Sequence, residues 1–549
     1  MFLPLVSAGL MPNLAALMRR GCHGPLTPVL SDCAPACWAT LVTGLWPDRH
    51  GVLAAAQEDD ADGGVQPVDS ASLAVPAVWD YLAAAGIEQF RVGLPLSHPA
   101  RGPGKVVSGA YPGKYREGGR WRDMDDALLY GFDADDTDLA NELRVHPESL
   151  DAGALGPLIP ALASIDPRSD RRPAFVAVAL ARSFSLHNAA TWLLEEQNTA
   201  VAFIRYPLLA DLARGFLAYH PPRLAAISEA DFALYRGVVS GACRVFDLLL
   251  GRIVELAGAQ ARVLVASTHG FQMEAQCRAA GLGVKGRPAP ELRPEGWWLF
   301  AGDGAAAEPR RATVLDIAPT LLAACGLAPP PHWPGVSLMP ERAPLLPAPH
   351  PAMPLHPADP EPARGQVAAW TAQLAEMGLT DPLAPHFAER RRQLAAERAW
   401  NRYRIHMQRA EIEPALQCLQ ALSGGPRALM AALEMAGIFG ALARWQDAAR
   451  ILAPIARLFV DGGVAQLADA GLPVHRVPVA SYRHGIEAIL ARAKSDFALA
   501  RLHLELLGQL TLPIPCIDLL RQELGMPGAP AGRGAKSPDA TAPMRAGRA

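Results

Sequence analysis

The sequence has no Cys-x-x-Cys pair, no excess of either charge and no apolar run long enough to span a bilayer. Its eight cysteines, Cys22, Cys33, Cys37, Cys243, Cys277, Cys325, Cys418 and Cys516, are scattered. In a chain this large they read as free thiols in a reducing compartment, not as a disulfide framework. A membrane span needs roughly 18 to 20 apolar residues, and no stretch approaches that. The opening MFLPLVSAGLMPNL lacks a positive n-region and carries Pro4 and Pro12 around Gly9, so no signal peptide is expected and the cytoplasm is the expected location. Lys and Arg number 51 against 54 Asp and Glu, a net charge of −3, which gives no reason to expect a nucleic-acid surface or a basic membrane patch.

What is present is a chain of 549 residues, half of them apolar and 19% charged. That is enough to bury a substantial core in two or more domains. Near the start, Leu14, Leu17 and Met18 fall on one helical face, with Pro12 in the first turn and Asn13 as a candidate cap. From Ala74 onward helix and strand signals alternate. Trp79, Leu82 and Ala83 have helical spacing, Gly86 stops that helix, and Phe90 to Leu94 reads as a short strand. His98 lies in a Pro-bounded loop and is assigned no metal. Residues 110 to 170 read as an insertion over the sheet edge. Their acidic cluster (Asp123, Asp125, Asp126, Asp133, Asp135, Asp136, Asp138) lacks the D-x-D-x-D-G spacing of a calcium loop and reads as solvated.

Further on, the apolar run AFVAVALA, Ala174 to Ala181, suits a buried parallel strand, with a helix from Phe184 to Gln197. Asp231 to Leu256 is amphipathic, with Val238, Val245, Leu248, Leu249 and Ile253 on one side. ARVLVASTHGFQME then reads as a buried strand ending in a loop. This texture predicts an α/β domain with a mainly parallel sheet flanked by helices.

Five short patterns carry more specific information: M-P-N-L at Met11, W-A-T-L-V-T-G from Trp38, R-H-G-V at Arg49, H-G-F at His269 and D-I-A-P-T at Asp316. Together they resemble the alkaline phosphatase superfamily, most closely its type I phosphodiesterase/nucleotide pyrophosphatase branch. The resemblance covers residues 1 to about 340. It implies that Asp316 and Pro319 start a closing helix, where they cap and pack. It also implies a hydroxyl nucleophile at a helix N-terminus beside two divalent metals. Metal coordination activates the weak hydroxyl, and the helix end favours an anionic substrate.

The catalytic positions are substituted. Ten residues before Gly44, where the nucleophile belongs, stands Ala34. The Asp and His that bind one metal correspond to Pro207 and Asp211. S-D-H-G becomes S-T-H-G, with Thr268 for the Asp and His269 retained, and Leu292 stands at the last His. No strand carrying the first metal-binding Asp precedes M-P-N-L. Either the true start lies upstream of Met1 or that ligand has been dispensed with. Two-metal catalysis uses both ions to stabilise attacking and leaving oxygens. The expectation is therefore a non-catalytic binding or scaffolding module with no cofactor. The alternative is an active metal-dependent phosphodiesterase or phosphatase. There, an upstream start restores the Asp, Ser31 or Cys33 is the nucleophile, Asp211 and His269 are surviving ligands, and zinc or manganese is the metal.

After residue 327 the composition changes. Ala328 to Arg364 is a Pro-rich spacer or surface wrap, and the chain from 365 to 525 is helical. The Ala415 position of ERAWNRYRIHMQRAEIEPALQCLQAL reappears at Ala448, a period of 33, and Ser495 opens a third, imperfect copy. Such helix pairs resemble tetratricopeptide repeats, whose stacked concave face binds peptides, which implies a protein partner. The expected organisation is an α/β domain over 1–327, a linker over 328–364, a helical domain over 365–525 and a disordered tail over 526–549.

Overall fold

The computed structural model describes residues 2–30, 33–58, 65–113, 126–196, 199–272, 291–293, 295–306, 308–340, 345–349, 351, 387–425, 427–461, 479–507, 514 and 516–526. Its contacts divide the chain into two compact units, Met1–Arg391 and Arg392–Ala549.

Eight strands form the two main sheets of the first unit: β1 (Gly21–Thr27), β2 (Gln89–Val92), β3 (Lys105–Val107), β4 (Leu129–Tyr130), β5 (Val201–Ile204), β6 (Val263–Ser267), β7 (Gly296–Ala301) and β8 (Ala312–Thr313). One sheet runs β8-β1-β7-β6. There β7 is antiparallel to both β1 and β6, with Cys22 opposite Phe300, while β8 is parallel to β1. The other runs β4-β3-β2-β5, with β2 parallel to β3 and β5 and only the edge pair antiparallel. The fold is α/β with mixed sheets, not the mainly parallel sheet the sequence predicts. Apolar periodicity reports which faces of a strand are covered and says nothing about the direction of its neighbour.

Helices cover these sheets. The helix Pro12–Arg19 (α1) buries Leu14 and Leu17 against Cys243, Leu250, Leu299 and Ala301. Its cap is not Asn13. The buried Asp247 reaches across instead, accepting the Leu14 N–H at 2.7 Å and the Asn13 N–H at 3.1 Å. A carboxylate at a helix N-terminus both pairs its orphan amides and meets the positive end of its dipole. The helix Ala34–Thr43 (α2) follows β1. The segment Ala174–Ala181, read as a strand, lies inside a 25-residue helix, Arg172–Glu196 (α3). An eight-residue apolar run has no period to distinguish strand from buried helix, and this helix buries residues around much of its circumference. After it come Leu208–Phe216 (α4) and Val238–Ala257 (α5). The single helix expected over Asp231–Leu256 is broken, with a separate Glu229–Tyr235 turn of helix ending before Gly237.

The closing helix, Ile317–Ala324 (α6), starts as the resemblance implies. Asp316 accepts the Thr313 N–H at 2.8 Å through one oxygen and the Val336 N–H at 2.9 Å through the other, and Pro319 is buried. The Thr320 hydroxyl in turn accepts the Leu338 N–H at 2.9 Å. The Pro-rich stretch therefore begins as a wrap on the first unit, reinforced where Leu327–Ala328 pairs with Leu346–Pro347.

In the second unit the described helices are Phe387–Gln408 (α7), Ile412–Gln420 (α8), Ala428–Ala441 (α9), Trp445–Leu452 (α10), Leu458–Asp461 (α11), Val479–Ala493 (α12), Phe497–Leu507 (α13) and Cys516–Glu523 (α14). Three hairpins, α7/α8, α9/α10 and α12/α13, share one turn. Each turns through a left-handed residue, Ala410 (φ 58°), Ala443 (φ 57°) and Ser495 (φ 60°). In each, the next amide reaches back five residues: Glu411 to His406 and Arg444 to Phe439 at 2.8 Å, and Asp496 to Ala491 at 2.9 Å. This is the Schellman end of a helix, normally glycine's position. Five residues beyond each turn stand Ala415, Ala448 and Ala500, and nine beyond stand Leu419, Leu452 and Leu504, all buried. Residues 527–549, which hold nearly all of the tail expected to be disordered, lie outside the described residues. Among the described residues no helix is long and apolar enough to cross a membrane.

The shared turn yields a stability prediction. A Cβ in left-handed backbone costs roughly 1–2 kcal/mol, partly offset by the greater freedom of glycine in the unfolded chain. Ala410→Gly and Ala443→Gly should each raise the urea midpoint of the helical unit, by about 0.5–1 kcal/mol in stability. A fall on both substitutions would contradict the left-handed assignment.

Candidate functional site

The motif residues that read as a nucleophile region are held by a closed set of hydrogen bonds. α2 starts with Ala34 and Pro35, and its N-cap Cys33 is buried. The Cys33 carbonyl accepts the Cys37 N–H at 3.1 Å and the Cys37 thiol donates to the Leu30 carbonyl at 2.8 Å. Gly44 ends the helix in the left-handed region (φ 67°), with its N–H on the Thr40 carbonyl. A Cβ there would also lie 2.7 Å from the Trp333 ring, so glycine is required both by backbone and by space.

His50 ties the far end of the motif back to α2. Its Nδ1 accepts the Val52 N–H at 3.2 Å, so Nε2 carries the proton and donates to the Thr40 hydroxyl at 2.9 Å. The ring is fully buried, and burial pushes its pKa down to about 3 against the opposing effects of Asp48 and the backbone groups of His50 and Ala36. It is a neutral, structural imidazole. The helix start itself offers the methyl group of Ala34, and the candidate nucleophile Ser31 lies outside the described residues. Cys33, the other candidate, is the buried N-cap residue of α2, and its side chain makes no capping hydrogen bond.

Asp211 and His269, the candidate metal ligands, are brought to a common set of neighbours. Asp211 sits in the first turn of α4, after Pro207, which has no donor atom to offer. One oxygen lies 3.0 Å from Arg182 Nη1 of α3 and the other 3.8 Å from Arg214 Nη1 one turn on. Arg205 directly follows β5 and anchors there by its N–H on the Val92 carbonyl at 3.0 Å. Its half-buried guanidinium is pushed down to about 10 by burial, with Arg182 and Arg214 adding and Asp211 opposing. His269, two residues past the end of β6, packs edge-on to Phe271 at 5.2 Å, and Arg214 lies 5.8 Å from the same ring. Its pKa is lowered by burial first, then by the Arg214 and Arg205 charges, against a contact with the Gly270 carbonyl. Thr268 is buried beside it, and the Leu292 backbone pairs with Phe271.

This donor set does not fit a divalent cation. The one carboxylate is shared between two guanidinium groups, the one imidazole sits in the field of two arginines, and metal sites need ligands free of competing positive charge. Among the described residues no group of three or more His, Cys, Asp or Glu is placed to hold a metal. Sequence reasoning overlooked Arg182, Arg205 and Arg214. Only the Asp211/Arg214 spacing of three on a helix was readable in advance. The meeting of α3, β5 and α4 was not.

The two mixed sheets, the capped closing helix and the α2 frame define an α/β unit of the alkaline phosphatase superfamily. The family model "Type I phosphodiesterase / nucleotide pyrophosphatase" matches residues 4–282, just over half of the 549, and the chain belongs to that family. Among solved structures it is similar to a phosphonoacetate hydrolase from Sinorhizobium meliloti, at 16% identity over 50% of this chain and 54% of that one, with a TM-score of 0.28. The chain thus spans about half the length of that protein. It is also similar to human ectonucleotide pyrophosphatase/phosphodiesterase 5, at 11% identity over 61% of this chain and 92% of that one, with a TM-score of 0.32. No curated protein matches the sequence.

The neutral state of His50 predicts a pH dependence. Its folded pKa lies below the unfolded value near 6.5, so the unfolded chain binds the extra proton first. The stability it carries is complete above pH about 6.5 and is lost as pH falls toward about 3, on the order of 5 kcal/mol in all. His50→Leu should cost about 2–5 kcal/mol at pH 7, by leaving the Val52 amide and Thr40 hydroxyl unpaired, and should flatten the acid limb in urea unfolding. Parallel acid limbs for the two proteins would contradict this.

Proposed function

We propose that the first unit is a non-catalytic binding or scaffolding module built on the type I phosphodiesterase/nucleotide pyrophosphatase fold. The observation that carries the reading is the state of Asp211. At a position where the resemblance calls for a metal ligand, both of its oxygens face arginines, which supply as fixed side-chain charge what a bound cation would supply. Ala34 at the first position of α2 agrees with it, because a methyl group cannot attack phosphorus. No metal cofactor enters this reading.

The helical unit, in the same proposal, is a tetratricopeptide-like array that contacts a protein partner. Its support is the recurrence of one turn at Ala410 and Ala443, 33 residues apart, followed by small and large buried residues at fixed offsets. Stacked helix pairs of this period expose a continuous concave face. The chain is read as a cytoplasmic protein with no nucleic-acid partner.

An assay of an aryl phosphodiester and an aryl phosphomonoester with the full chain tests the first part. With zinc, with manganese and without either, turnover should stay at the buffer rate, and Ser31→Ala and Cys33→Ala should change nothing. Metal-stimulated hydrolysis that disappears on either substitution would establish the active metal-dependent hydrolase in its place.

A further inference from the structure

We propose that Arg182, Arg205 and Arg214 form a metal-independent site for a dianionic tetrahedral oxyanion, a phosphate or the phosphate of a monoester. The proposal rests on the non-catalytic reading above and assigns a ligand class to that same site.

The argument is one of charge balance. Two guanidinium groups, of Arg182 and Arg214, pair with a single carboxylate, Asp211, and a third, that of Arg205, lies within the field of all three. Arg182 and Arg214 share it, on separate oxygens. Among the described residues the Arg205 guanidinium has no hydrogen bond or ion pair, although it is half-buried. Among the described residues, two positive charges are therefore left without a counter-charge. In a partly desolvated place, unneutralised like charges repel and cost stability, and a dianion removes that cost.

The chemistry of the groups narrows the ligand. A guanidinium presents planar, paired N–H donors that match the oxygens of phosphate. Arg205 stands two residues before the N-cap of α4, so the amides and dipole of a nine-residue helix add a further preference for negative charge. The neighbouring His269 is held toward its uncharged form. The site therefore draws its positive charge from arginine, which stays protonated at any physiological pH. The elements differ as well: Arg182 comes from α3, Arg205 from the end of β5 and Arg214 from α4. Asp211 holds the first and last of these in position.

Asp211 then has a definite role. It orients Arg182 and Arg214, and it competes with the ligand for them. This gives two substitutions with opposite expected effects, which a merely structural cluster does not.

The test uses the full chain, freed of metal with EDTA and then titrated calorimetrically with inorganic phosphate. Saturable binding without metal is expected, weakening as ionic strength rises. Arg205→Gln should weaken it about tenfold or more, with circular dichroism unchanged, while Asp211→Asn should tighten it. Phenyl phosphate binding more tightly than inorganic phosphate identifies a monoester as the ligand, and the reverse identifies the free ion. No phosphate binding by either the native protein or Asp211→Asn overturns the site and leaves the non-catalytic reading standing. Unchanged affinity in Arg205→Gln likewise overturns it. Binding that appears only with added zinc or manganese and is reversed by EDTA overturns both.

Discussion

A single neutral imidazole fixes the part of this molecule that looks most like an active site. His50 is sealed from water and can be satisfied only in one tautomer, with Nδ1 taking the Val52 amide and Nε2 giving its proton to Thr40. Those two bonds bind the short turn after Gly44 to the middle of α2. Gly44 then has no choice of conformation, and Trp333, arriving from nearly three hundred residues away in sequence, covers it. Asp316 holds the Val336 amide in the segment that delivers Trp333. The order of dependence runs from one proton position on one ring to the seating of the closing segment.

None of these bonds passes through a position where the resemblance places a nucleophile or a metal ligand. That separation explains how the motif from Trp38 to Val52 persists around Ala34. Thr40, Thr43, Gly44 and His50 are kept by the cost of unpairing buried polar groups and of forcing a Cβ into left-handed backbone. Those costs are the same whether or not chemistry takes place at the helix end. A pattern can therefore report the fold faithfully while reporting nothing about catalysis.

The same distinction sets how much could be read from the sequence. The α2 frame, the closing helix at Asp316 and the period of 33 were legible because each is a local constraint of capping, turn geometry or regular burial. The run at Ala174–Ala181 was misread because eight apolar residues look alike in a buried strand and in a helix buried around most of its girth. The direction of β7 beside β1, and the capping of α1 by Asp247 rather than Asn13, depend on partners more than two hundred residues distant. For the candidate site, Asp211 and His269 were identified one at a time, but the arginines that decide their chemistry were not. Arg182, Arg205 and Arg214 acquire meaning only once α3, β5 and α4 meet.

Under the proposed reading, that meeting also bears on what arginine in place of a metal does to a binding site. A bound cation can be lost, exchanged or chelated, and its ligands must stay deprotonated to hold it. A guanidinium is covalently part of the fold and stays charged, so a site built from three of them is always present and nearly indifferent to pH. It lacks what a two-metal centre supplies, the ability to lower the pKa of a hydroxyl and to bridge attacking and leaving oxygens. An arrangement of this kind suits holding an oxyanion and is poorly suited to transferring one. In the proposed reading the α2 frame and the arginine cluster agree from opposite directions: one keeps the shape without the nucleophile, the other keeps the positive charge without the Lewis acid.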